Sequence, residues 1–583
     1  MKYNIILFVT CGLMLLSSCE DFKFGDAVLE MPAGSTEDID FLFSCKENAE
    51  QALVAAYMAL PDLHKGKLNG QDLLENLTDL SNSSMGYGPM KNFYYPGQLS
   101  SSTGPVYLRY NYVNGGWPTI RKCWTFIENI GRVPDMSQED KEKRIAEAKM
   151  IMAIHYFEMF RAFGGVPWID RQYSPGDDMS SFPRMTAEET IDKVTGLLDE
   201  AAEHLPWVTE AVEDGRMTRA AAMAYKVRVL LFAASPLFND VKPYMDGEAA
   251  DKHLTWFGGK DVSRWDEVIE ASEAFLDELE LNGGYDLVNT GNPRLDFRSA
   301  SFDRCTGEVL ISTRVRTKYP GGLWGDGAFI FAMCQYGIGN TTLDYVDKFQ
   351  MLDGSAFDWS DPEHASHPFF DASGSPVRDP RLYETVLVNG DEYDGRKAQL
   401  WIGGVDRTDG ARAQKWTASG FCMRKFRTDI KTAAGKFYSY PYLRLPEIYL
   451  SYAEALNETG KTSEAALYVN KVRDRVQMPA LPDGLNKDQM REAILLERAV
   501  EFGYEEVRFY DLIRWKKEDV FKLALRGLDI ISSDQGVTLK YEQFELPNKR
   551  AWQGDGWSPK WYLSPFPISE LNKKYGLIQN PGW

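Results

Sequence analysis

The sequence predicts a mainly α-helical protein with one long irregular excursion and minor β-structure. Three observations carry this. Apolar residues recur at steps of three and four in two blocks, about 40–280 and 441–583. Cap and stop residues bracket those runs. Between about 281 and 440 helical periodicity is sparse, and Gly, Pro, Asp and aromatic residues dominate.

The elements follow in order. Ala148, Met152, Tyr156, Met159 and Phe163 form one apolar stripe, and Ile151, Ile154 and Phe157 fill the other sides. That helix is expected to be buried nearly all round and to stop at Gly164-Gly165. Thr186 and Glu189 make a capping-box pattern for the next helix. Thr218 to Ala234 reads as an Ala-rich helix stopped near Pro236, and Ser263-Arg-Trp-Asp266 opens another. Glu308 to Arg316 and Glu384 to Val388 read as short β-like runs. Late in the chain, Leu445 to Glu458 and Ser463 to Val476 are expected as helices joined through Gly460. A long helix is expected from about Asp488 to Trp515, with Leu495, Ala499, Phe502, Phe509 and Ile513 on one face.

The N-terminus is a leader. Lys2 is followed by an apolar run from Ile5 to Leu16 and then by Leu16-Ser17-Ser18-Cys19. The run is too short to span a bilayer, which takes about 20 apolar residues, and has the layout of a secretory signal. Leu-Ser-Ser-Cys resembles the bacterial lipobox, which implies cleavage after residue 18 and acylation of Cys19. Residues 19–583 are then expected as one large unit on a lipid tether, since no Ser/Gly- or Pro-rich linker divides them. Glu20-Asp21 is acidic, as in surface-exposed lipoproteins of Bacteroidetes.

The chain carries 65 basic against 85 acidic side chains, a net charge of −20. That argues against nucleic acid, whose phosphates need a basic surface. Cys45, Cys123, Cys305, Cys334 and Cys422 are far apart and make no Cys-x-x-Cys pair, so neither a disulfide framework nor zinc is indicated. His364 and His367 lie in a Pro/Asp loop without other obvious ligands. Gly-x-Ser-x-Gly and a Walker loop are absent. Asp353-Gly354 and Asp406 to Gly410 lack the EF-hand ligand order. No cofactor is indicated.

Five ordered stretches resemble the SusD/RagB-like outer-membrane lipoproteins. They are "AKMIMAIHYFEMFRAFGGVPWI" from Ala148, "RDPRL" from Arg378, "YLRLPEIYLSYAEALNETG" from Tyr442, "ERAVEFGYEEVRFYDLIRW" from Glu497 and "PFPISELNKKYGLIQNPGW" at the end. The resemblance implies a frame of tetratricopeptide-like helix pairs with an irregular part packed on it. It implies a non-catalytic protein at the outer membrane that binds a glycan, or in the RagB branch peptides. It also implies a SusC-like TonB-dependent transporter as partner. Glu454, Glu497, Glu501, Arg508 and Arg514 are expected to form buried ion pairs within that frame.

Sugar recognition needs flat aromatic faces against C–H groups and polar side chains for the hydroxyls. "YGPMKNFYYPG", from Tyr87 to Gly97, is too rich in Gly and Pro for a helix and too aromatic for an ordinary loop. By position it matches one ligand loop of the family, Asn82 to Gly97; Tyr319 to Tyr336 matches the other. The candidate rings are Tyr87, Tyr94, Tyr95 and Trp324, with Asn82, Asp326 and Gln335 as hydroxyl partners. Trp256, Trp359, Trp401 and Trp416 are lesser candidates. The competing expectation is that these rings anchor their loops to the frame or contact the transporter. A surface glycoside hydrolase needs two carboxylates across a cleft, which 85 acidic residues neither support nor exclude. A helix-pair scaffold without a small ligand is the third class.

Overall fold

The computed structural model describes residues 36–61, 72–174, 176–303, 306–315, 337–393, 395–407, 418–426 and 438–583. The expected leader at residues 1–18, Cys19, Cys305, Trp324, Asp326, Cys334, Gln335 and Trp416 lie outside the described residues.

Helices α1 (Lys46–Tyr57) and α2 (Trp117–Asn129) lead into α3 (Gln138–Phe163). The Ser137 side chain caps α3 by accepting from the Asp140 N–H, and Gly164, at φ 79°, ends it. Every residue from Met150 to Phe163 is buried, as the all-round apolar pattern requires. The capping box of Thr186 and Glu189 opens α4 (Ala187–His204). Thr218 caps α5 (Arg219–Ala234), and α6 (Ser263–Asn282) closes the first block at Gly283. Consecutive helices pack on one another from α1 to α6.

Beyond α7 (Pro293–Phe302) and α8 (Pro380–Thr385), the second block comprises α9 (Leu445–Glu458), α10 (Thr462–Arg475), α11 (Lys487–Glu501) and α12 (Arg508–Arg514). Helix α9 packs on α10 and α11, and also on α5 and α6, which joins the two blocks. A continuous apolar core runs from Phe43 to Phe566. Among the described residues no helix is long and apolar enough to cross a membrane.

The β-structure is minor. Strands β1 (Ser81–Asn82), β2 (Val309–Val315), β3 (Asn340–Thr341), β4 (Val386–Leu387), β5 (Cys422–Met423) and β6 (Tyr438–Arg444) form antiparallel pairs β1·β3, β2·β6 and β4·β5.

Two expectations need correction. Glu384 to Val388 is not one strand. Asp379 accepts from the Arg381 N–H and Pro380 occupies the first helical position, so α8 forms and runs to Thr385 before β4 begins. The long helix from Asp488 to Trp515 is two helices, α11 and α12. Tyr504 and Glu506 between them have φ of 63° and 60°, and the Glu506 N–H donates to Glu75 Oε1 at 2.5 Å. A distant carboxylate therefore takes an amide that a continuous helix would bond internally.

The expected ion pairs are present. Arg514 holds Glu454 at 2.7 Å, Arg381 holds Glu497 at 2.5 Å, and Arg508 pairs with Asp79 at 2.9 Å. Glu501 is fully buried and receives Arg475 at 2.5 Å, Arg444 at 2.8 Å and Arg381 at 3.1 Å. Glu308 at the head of β2 accepts from Arg444 and Arg475 at 2.6 and 2.9 Å. Glu505, in the break after α11, bonds Arg444 at 2.7 Å and Lys425 at 2.5 Å. The network ties α8, α10, α11, β2 and β6 together. Burial alone would raise the Glu501 carboxyl; Arg475, Arg444 and Arg381 override it and hold that group well below the usual carboxylate range.

Candidate functional site

The first stretch nominated from the sequence springs from the β1·β3 ladder, and the second precedes that ladder's later strand in sequence. In the β1·β3 ladder Ser81 faces Thr341 and Asn82 faces Asn340. Pairing continues outward, since the Ser84 N–H donates to the Gly337 carbonyl at 2.8 Å. Asn340 Nδ2 donates to Ser84 Oγ at 2.7 Å and to the same carbonyl at 3.0 Å. Gly337 immediately follows the segment that carries Trp324, Asp326 and Gln335.

From that ladder the first loop runs out through Gly86, Tyr87 and Gly88. Gly88 sits at φ 96°, a conformation that favours glycine. Tyr87 at the tip is 53% exposed. The chain returns through a wide turn, Met90–Tyr94, closed by the Tyr95 N–H donating to the Met90 carbonyl at 2.9 Å. Lys91 and Asn92 on this turn are exposed. Phe93 and Tyr107 are half-buried, with ring centroids 5.2 Å apart.

Tyr94 and Tyr95 do not present faces to a ligand. They are 2% and 7% exposed. The Tyr95 hydroxyl accepts from the Ser83 N–H at 2.8 Å and donates to the Asn76 carbonyl at 3.0 Å, so it fastens the end of the loop to its start. Its ring meets Trp552 edge-on at 6.3 Å. Tyr94 points into the core beside Arg109. Burial holds both phenols well above the ordinary tyrosine range. Asn82 is also buried: its Nδ2 donates to the Asn548 carbonyl at 3.2 Å, and Asn548 returns a bond to the Ser83 carbonyl at 3.1 Å. In this structure these three residues anchor the loop. The covering chain is 548–553, whose Ala551 N–H also donates to the Tyr95 carbonyl at 2.7 Å.

Asp72 lies beneath the same turn, fully within the core. Its Oδ1 accepts from Asn76 Nδ2 at 2.5 Å and from the Leu73 N–H at 3.3 Å, and its Oδ2 from the Met90 N–H at 3.4 Å. No cation among the described residues pairs with it. Burial pushes its pKa up to about 7, against the smaller opposing effect of those hydrogen bonds. Sequence reading missed Asp72, because nothing local marks it as buried. It also passed over Tyr107, whose signal was its place in the aromatic run "VYLRYNY".

The lesser tryptophans are engaged elsewhere. Trp256 Nε1 donates to the Ala250 carbonyl and Trp359 Nε1 to Asp347. Trp401 packs against Gly403 and Gly536. A separate cleft of about 190 Å3 lies between 208–218 and β2, lined by Thr209, Thr218, Tyr285 and Ser312 among others. Arg216 on its wall is already bound to Glu147 at 2.9 Å and to Glu50. His364 stacks on Phe357 at 5.4 Å, and no cluster of potential metal ligands occurs among the described residues.

Comparison with known proteins bears on this arrangement. The SusD family model matches residues 332–583, and a model described as starch-binding associating with outer membrane matches residues 48–231. Across both matched stretches the chain is SusD/RagB-like. A SusD-like protein of Formosa agariphila, P38, is 23% identical over 90% of this chain and 93% of its own length. A crystal structure of a SusD-like protein from Bacteroides fragilis covers 93% of this chain and 98% of that one, with a TM-score of 0.70 at 24% identity. A solved laminarin-binding SusD-like protein covers 93% and 100%, with a TM-score of 0.57 at 19% identity. The helix-pair frame expected from the motifs is thus the SusD-like fold, and the motif arginines and glutamates are its internal braces.

Proposed function

We propose that this SusD-like chain is a non-catalytic glycan-binding lipoprotein of the outer membrane. It captures an oligosaccharide at the cell surface and works with a SusC-like TonB-dependent transporter in its uptake. Cys19 carries the lipid anchor, and residues 19–583 act as one unit. The observation that carries the reading is the exposed ring of Tyr87, which stands on a base tied to the β1·β3 ladder. Held aromatic faces on a fixed scaffold are what pyranose stacking needs. The laminarin-binding relative and the starch-binding description of the second family model support a carbohydrate ligand over the peptide alternative. Glu454, Glu497 and Glu501 are buried and committed to arginines, so they offer no catalytic pair to a cleft.

The test is a glycan array probed with the protein lacking residues 1–19, followed by calorimetry of the hit with Trp324→Ala. Binding to one glycan class, weakened in the variant and with the glycan left uncleaved, supports the reading. Binding only to peptides, or release of shorter sugars, overturns it.

A further inference from the structure

A small cavity lies on the inner side of the Tyr94 turn, where the loop meets the C-terminal chain. Tyr94, Arg109, Phe509, Trp552, Trp561 and Trp583 are among the residues that line it, and no carboxylate is among them. It offers about 20 Å3 to the centre of a water-sized particle. That is room for one particle, since roughly 10–15 Å3 on this measure holds a single water.

Arg109 is the unusual member. It is 3% exposed, and none of the described carboxylates pairs with it. Its Nε donates to Ser564 Oγ at 3.0 Å and its Nη2 to the Tyr562 carbonyl at 3.0 Å, while its guanidinium lies 4.9 Å from the centre of the Phe509 ring. Nη1 has no partner. Three more polar atoms of lining residues also lack a hydrogen-bond partner, Trp552 Nε1, Trp557 Nε1 and the Tyr94 hydroxyl. Arg Nη1 and Trp Nε1 can only donate. The Tyr94 hydroxyl can donate as well.

Four unpartnered donors on the residues lining a one-particle cavity, with an uncompensated cation among them, suit an acceptor that carries negative charge. A water there must also place its own two hydrogens, and the lining side chains supply no carboxylate to receive them. A buried guanidinium without a counter-charge is costly, and an anion beside it offsets that cost. The volume excludes sulfate and phosphate. We infer that the cavity beneath Tyr94 binds a single monovalent anion of halide size, held by Arg109, Trp552 and Tyr94. Chloride is the halide that ordinary media supply. Bound there, it joins the turn of the Tyr87 loop, the C-terminal chain at Trp552 and α12 through Phe509.

The test is thermal unfolding of the purified protein at constant ionic strength, with sodium chloride exchanged for sodium gluconate. Tm should rise with chloride and saturate, as for any ligand bound to the folded state alone. Trp552→Phe keeps a ring but removes one donor. Losing one charge-assisted hydrogen bond should raise the chloride midpoint by about tenfold or more. Crystals grown in bromide should show an anomalous peak beside Arg109. Equal Tm in the two salts, an unchanged midpoint in Trp552→Phe, or a cavity holding only water in bromide would each overturn the inference.

Discussion

Two buried polar regions hold this molecule together by opposite means. Around Glu501 every charge is answered: Arg381, Arg444 and Arg475 surround one carboxylate, and Glu308 and Glu505 complete the set. Beneath the Tyr87 loop charges stand alone. Asp72 has amide and hydroxyl donors but no cation among the described residues, and Arg109 only a hydroxyl, a carbonyl and a ring. The first region is what the family motifs encode, and it makes the frame. The second is assembled from a loop, an irregular ladder and the C-terminal chain, and it carries the candidate ligand surface. Bracing and the candidate recognition surface are thus separated in space.

Removing a charge from the answered region should have the largest effect. Glu501→Gln leaves three guanidinium groups short of a carboxylate, and breaking a buried ion pair from one side costs about 3–5 kcal/mol. The urea midpoint should fall accordingly with the slope unchanged. An effect below about 1 kcal/mol would mean that the network is hydrated and the contrast is false.

Next comes the loop's anchor. Tyr94→Ala should cost about 3–5 kcal/mol, in the range for removing a buried ring. Tyr95→Phe should cost about 1–3 kcal/mol, because it orphans the buried Ser83 N–H while keeping the ring. Melting curves of the two variants check this ranking.

Asp72 sharpens the comparison through pH. Its carboxyl titrates near 7 in the folded protein but near 3.8 when unfolded. Between those values the unfolded chain is charged and the folded one neutral. Folded protein therefore holds the extra proton, and stability from this group falls as pH rises from about 4 to 7. The full loss is on the order of a few kcal/mol. Asp72→Asn should flatten that part of the stability profile and gain relative to the parent at pH 8. Parallel profiles for the two proteins would show that Asp72 is already ionised or solvated.

How far the sequence revealed these regions follows from what makes each. The helical frame was legible because period and caps are local: α9 runs from Leu445 to Glu458 as read, and the Thr186 capping box forms as read. The split between α11 and α12 was not, since its cause is Glu75, remote in sequence, and Gly503 alone is a weak signal. The braces Glu454, Glu497, Glu501, Arg508 and Arg514 were legible as residues that must pair, though most of their partners were not. The aromatic loop was legible as a place. Which of its rings face water was not, because the cover over Tyr94 and Tyr95 comes from 548–553 and from the Trp552 cluster at the far end of the chain.

The smallest expected effect on stability belongs to the residue on which recognition is proposed to rest. Tyr87→Ala changes an exposed side chain and should alter stability by no more than about 0.5 kcal/mol. A ring stacked on sugar should contribute on the order of 1–3 kcal/mol, by analogy with stacking on bases, which is roughly a 5- to 150-fold change in Kd. Calorimetric titration of Tyr87→Ala with the array-selected glycan, alongside its melting temperature, tests the separation of anchor from platform most directly. The account predicts a Kd weakened within that range at unchanged Tm. Unchanged affinity, or a fall in Tm as large as that of Tyr95→Phe, would contradict it.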